Sequence, residues 1–207
     1  MNATSRGDDA PEPSVPAAGP LAASPLTRAV LEIDEYVAGF GWDQPARLFA
    51  LVDTARLRAA EPELAERLAA GPEGEDAPTS FTPVEQEALP ADVPLDEFLA
   101  TIAWPETVAG CALTAERLML PPSAESAVPE HLQREGAEKE LAEWVAAHPD
   151  RQEVRMTVAV LRDGARESAL RLRERDRATE VLTGPDLVPN LAAALAETLA
   201  AGDTAAG

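Results

Sequence analysis

The chain has 207 residues and a formal net charge of -20, with 45% hydrophobic and only 4% aromatic residues. That length suits one domain with an aliphatic core, and the charge argues against a nucleic-acid partner, because a polyanion would be repelled rather than neutralised. No stretch approaches the roughly 18 apolar residues of a membrane span, and the first twenty residues lack the apolar core of a signal peptide, so a cytoplasmic protein is expected.

Residues 1–23, rich in Pro, Ala, Ser and Asp, hold too few large apolar groups to offset the entropy of ordering and read as a disordered tail. Residues 202–207 read as a second one, which leaves a domain over 24–201. It opens with "SPLTRAVLEIDEYVAGF": Ser24 is a cap, Pro25 suits the first turn, and Leu26, Val30, Ile33 and Val37 recur at helical spacing up to Gly39. After the turn "GWDQP", the run "ARLFALVDT" is apolar on both faces, as in a strand covered on both sides. A helix is expected near Pro62, carrying Leu64 and Leu68, then a loop over 71–80. Asp92 caps a short helix in "DVPLDEFLATIAW", and "TVAGCALTAERLML" reads as a strand stopped by Pro121 and Pro122. A loop over 121–131 leads to the helix "AEKELAEWVAAHPD", which packs through Leu141, Trp144 and Val145.

The stretch "HPDRQEVRMTVAVLRDGARESALRLRERD" is a β-hairpin. Val154, Met156, Val158 and Val160 alternate with Arg155, Thr157 and Ala159, the period of a half-buried strand. A two-residue turn at Asp163-Gly164 would set Met156 opposite Arg171 and mix the faces. A three-residue loop, Arg162 to Gly164 with Gly164 left-handed, sets Met156 beside Leu170 and Val154 beside Leu172. "GPDLVPNLAAALAETLA" then gives a C-terminal helix through Leu187, Leu191, Leu195 and Leu199. The class is α+β: a single domain with a largely antiparallel sheet, its hairpin in the C-terminal half packed against several helices.

The hairpin also carries the candidate site. From Arg151 to Arg177 there are eight arginines and five carboxylates, a local positive excess in a chain at -20 overall. The register puts Arg155 opposite Arg171, with Arg173 on the same side, and like charges so placed need an anion or carboxylate between them. Three sources compete: an acidic helix of the same chain, such as the one carrying Glu138, Glu140 and Glu143; an acidic partner protein; or a small anion. Arginine forks suit carboxylate and phosphate equally. Trp42, in the contact-loop shape of "GWDQP", and Trp104 complete the candidate binding residues, although Trp42 also suits a cap on the core. His148-Pro149-Asp150 has the makings of a base with its orienter, or of a helix-end histidine bonded to backbone. Cys111, in "VAGCAL", reads as a buried structural thiol of a reducing compartment. Two histidines and one cysteine offer no metal-ligand spacing, and there is no phosphate loop, dinucleotide fingerprint or serine elbow. No catalytic residue, metal or cofactor is assigned.

At "GWDQPARLFALVDT", "IAWPETVAGCALTAERLMLPP" and the hairpin, the chain resembles a family of small acidic proteins of high-GC actinobacteria without an assigned activity. The resemblance spans roughly residues 24 to 200 and transfers no catalytic residue. In element order alone the chain is similar to secretion-chaperone-like proteins, often dimers that bind other proteins. The expected function is therefore non-enzymatic binding of another protein, as a chaperone or adaptor and possible homodimer. The alternative is an enzyme or sensor that takes a small anionic ligand at the arginines.

Overall fold

The computed structural model describes residues 23–60, 80–87, 89, 93–134 and 136–204. The expected tail before residue 23, the helix near Pro62, the loop over 71–79, the capping Asp92 and the last three residues lie outside them. Helix α1 (Pro25–Ala38) starts as its sequence dictates, with the Ser24 hydroxyl accepting a 3.0 Å hydrogen bond from the Thr27 amide and Pro25 in the first turn. Its buried stripe is Leu26, Ala29, Val30, Ile33, Asp34 and Val37, so one carboxylate lies among the aliphatics. Strand β1 (Arg47–Asp53), α2 (Thr54–Ala60), β2 (Phe81–Glu85), α3 (Leu95–Leu99) and β3 (Gly110–Met119) follow. After α4 (Pro122–Glu125) and a 3-10 turn (Glu130–Gln133) come α5 (Glu138–Ala147), β4 (Gln152–Leu161), β5 (Arg166–Leu172), β6 (Leu182–Gly184) and α6 (Pro189–Thr204).

The described strands form one open sheet in the order β2-β1-β3-β4-β5-β6, with every neighbour antiparallel. The α+β class and antiparallel sheet are as expected. The additions are α2, the two edge strands β2 and β6, and helical turns in the stretch 121–131. The last helix also runs on to Thr204, past the expected boundary at 201. Among the described residues no helix is long and apolar enough to cross a membrane.

The hairpin has the three-residue loop. Val154 pairs with Leu172, Arg155 with Arg171 and Met156 with Leu170, and Gly164 takes φ +87° while its amide donates to the Leu161 carbonyl at 3.0 Å. The alternation of β4 then divides the core. Val158 and Val160 face α6, whose Ala192, Leu195 and Leu199 are buried on them. Ala159 faces α1 together with Ala112 and Ala169, three small residues that let the helix settle close to the sheet. Burying aliphatic side chains such as Val30 and Ile33 in this seat contributes about 1.5–3 kcal/mol each.

Candidate functional site

Pairing places Glu116, Arg155 and Arg171 in one row across β3, β4 and β5, on the side of the sheet that α1 covers. Arg155 is fully buried and Arg171 is 3% exposed. Each has its own carboxylate. Arg155 donates to Glu116 Oε1 from Nε at 3.1 Å and from Nη2 at 2.8 Å, and Nη2 also donates to the Gly41 carbonyl. Arg171 donates to Asp34 Oδ2 from Nε at 3.0 Å and from Nη2 at 2.6 Å, and its Nη1 reaches Asp176 at 3.1 Å. Burial opposes the charge of Arg171, but Asp34 and Asp176 outweigh it and raise the pKa. The carboxylates come from α1, β3 and the loop after β5, rather than from the helix of Glu140 and Glu143.

The loop "GWDQP" closes over this row. Asp43 has a left-handed φ of 66°, which aspartate tolerates better than most residues. That bend turns two successive amides toward the sheet, and Glu116 Oε2 accepts from Asp43 at 2.7 Å and Gln44 at 3.3 Å. Glu116 thus neutralises a buried guanidinium and anchors a loop with one carboxylate. Trp42 lies 4.5 Å from the Arg155 guanidinium and 5.6 Å from that of Arg173, and its indole donates to Asp176 at 2.8 Å. Arg173, the outermost of the three arginines, forms a fork with Asp43 at 3.0 Å on both arms and also binds Glu153. Those two carboxylates raise its pKa.

The structure therefore brings Trp42, Arg155, Arg171 and Arg173 together and turns the hydrogen bonds they make onto the chain itself, with Arg155 Nη1 buried and unpartnered among the described residues. Trp104 lies elsewhere, buried among the residues under α6, where its indole donates to Thr198 at 3.0 Å and Thr198 in turn donates to the Leu195 carbonyl at 2.6 Å. A cleft of about 300 Å³ does open beside Arg173, lined by Pro149, Arg151, Glu153, Arg173 and Glu174. Its two arginines face two glutamates, and neither tryptophan lines it. His148 closes α5 and accepts the Asp150 amide on Nδ1 at 3.1 Å, a local turn bond. Cys111 is fully buried, and burial pushes its pKa up to about 11, so the thiol is protonated and unreactive at neutral pH. Among the described residues no group of three or more His, Cys, Asp or Glu is arranged to hold a metal ion.

The loop is expected to respond to acid. Asp43 is held below its ordinary range by the hydrogen-bonded Arg173, and Asp176 by the Trp42 indole and then by Arg171. A carboxylate with a depressed folded pKa adds stability above its unfolded pKa, and that stability is lost as pH falls through the folded value. The loop should hold at neutral pH and loosen only below the usual carboxylate range of about 4. In an NMR titration the Trp42 indole signal should move there, while that of Trp104, bonded to an uncharged hydroxyl, stays in place. Movement of the Trp42 signal near neutral pH would contradict this assignment.

One family model, described as PPA1309-like protein, matches residues 26–200. No curated protein and no solved structure matches the chain. The family match takes in all of the sheet, nearly all of α1 and most of α6, the elements that build the arginine row and the loop over it; the chain belongs to the PPA1309-like protein family.

Proposed function

We propose that the protein is a non-enzymatic protein-binding module of the adaptor or chaperone kind, and that its contact surface is the β6 edge of the sheet. The observation that carries this reading is the difference between the two edges. On the β2 side, Pro83 removes an amide from the edge strand, Glu85 is tied to Arg47 at 2.6 Å and to the Tyr36 hydroxyl at 2.9 Å, and Arg47 stacks on Phe40 at 4.4 Å. Such an edge is closed to a further strand. The β6 edge has no proline within it and exposes 58% of Leu182 beside the half-exposed Leu187. Among the described residues no strand pairs with the outer side of β6, and an edge with apolar side chains on it suits addition of a partner strand. The arginine row ties the neighbouring hairpin to β3 and to α1 behind that edge.

Further features fit a cytoplasmic actinobacterial protein. A lone buried thiol is at home in a reducing compartment, and a single lysine among 17 basic residues suits a GC-rich genome.

The test is capture from a lysate of the source organism on the tagged chain, beside a Leu182→Arg variant that keeps the parent melting temperature. The expected result is a set of proteins held by the parent and lost from the variant. Identical sets on both would overturn this reading.

A further inference from the structure

We propose that the β6 edge takes a second copy of this chain, joined by antiparallel pairing of β6 with its counterpart about a two-fold axis at Thr183. This rests on the protein-binding reading for the surface and names the partner.

The geometry of the edge is self-complementary. Strand β6 has three residues and stops before Pro185, so two-fold pairing centred on it sets Leu182 of one copy opposite Gly184 of the other. Both residues stand on the α6 side of the sheet, because they pair with Leu170 and Ser168, and Ser168 pairs in turn with Val158 on that side. Gly184 contributes no side chain, but Leu187 of the same copy lies over it: a Cβ at 184 would stand 3.4 Å from the Leu187 Cγ. Pairing therefore seats Leu182 of each copy against Leu187 of its mate. The contact occurs twice, and it covers side chains that are 58% and 37% exposed in one chain.

Charge selects the same place. Arg177 and Glu180 precede the strand in the chain and Asp186 follows it, and Arg166 of the neighbouring strand pairs with Asp186 at 2.6 Å, two charges of each sign. A molecule at -20 repels its own kind over most of its surface and least at a balanced rim. Salt should strengthen this dimer, because screening removes the overall repulsion and leaves the apolar contact. A contact with three strand residues per copy falls below the roughly 1,200 Å² of a standard interface, so the dimer is a weak one, populated near ~100 µM and dissociated near ~1 µM.

Sedimentation equilibrium of the full chain across that range tests it. The parent should approach twice the monomer mass at the upper end, more readily at high salt, and Leu182→Arg or Leu187→Arg should weaken the association at least about tenfold. The register is tested separately by cysteine cross-linking. A mixture of Leu182→Cys and Leu187→Cys chains should form disulfide dimers faster than either variant alone, with buried Cys111 silent. A parent that stays monomeric throughout, arginine variants that associate as the parent does, or faster cross-linking of one variant with itself would each overturn the proposal. If the parent is monomeric and Leu182→Arg still loses its captured proteins, the dimer fails and the protein-binding reading stands. If the dimer forms as described and the captured set is unchanged, only the reading of a heterologous partner fails.

Discussion

Asp34→Ala is expected to cost about 3 kcal/mol of folding stability, the lower end of the range for breaking a buried ion pair. Asp34 is 1% exposed and accepts both the Nε and the Nη2 of Arg171 on a single oxygen. Its removal leaves a buried guanidinium to Asp176 and to Glu35, the latter at 3.3 Å and on a largely exposed side chain. Those remaining partners are why the loss should sit at the lower end. The control is Asp34→Leu combined with Arg171→Met, which removes the charge as well as its partner and should recover most of the loss. Urea unfolding of the three proteins checks this, and a double variant as unstable as the single one would show that shape, not charge, holds α1 on the sheet.

Gly110→Ala should cost about 2–3 kcal/mol, against the usual expectation that replacing glycine in a strand helps. Alanine narrows the unfolded ensemble and gains about 0.4–1 kcal/mol where the backbone accepts it. Here a Cβ would lie 2.4 Å from the Val160 carbonyl oxygen and 3.0 Å from the Leu161 Cα, both backbone atoms of the neighbouring strand. The ladder between β3 and β4 must spread to admit it, and overpacking of this kind outweighs the entropy gain. Thermal and urea unfolding read the result directly; a variant as stable as the parent would mean that the two central strands part more easily than their pairing implies.

The parts of the fold that were legible in the sequence are those with a repeating pattern. The period-two run of β4 together with Gly164 specified the hairpin register, and with it the meeting of Arg155 and Arg171. The cap at Ser24 and the stripe of α1 were equally plain. Strands β2 and β6 were not, because an edge strand need not alternate, and one has a proline inside it while the other has only three residues. The partners of the arginines were hidden for a different reason. Asp34, Asp43, Glu116 and Asp176 are scattered through a chain with 37 acidic residues, and only the fold gathers them. Two did leave a trace: Asp34 falls within the apolar stripe of α1, and Glu116 falls on the face of β3 shared by Ala112 and Thr114. A carboxylate on an otherwise uncharged, buried face is a sign that a cation is waiting opposite. Trp104 gave no such sign, since a tryptophan near a helix end suits a surface and a core alike.

The strand order has a consequence for how the molecule comes together. From β3 onward each strand lies beside the next one in the chain, and within that run the hairpin of β4 and β5 closes over the shortest loop, which makes the hairpin the natural place for assembly to begin. Asp34 meets Arg171 across a separation of 137 positions. Helix α1 leaves the ribosome before the hairpin, and the guanidinium that neutralises its buried carboxylate is synthesised much later. Helix α1 must therefore wait for the hairpin before it has a place to settle.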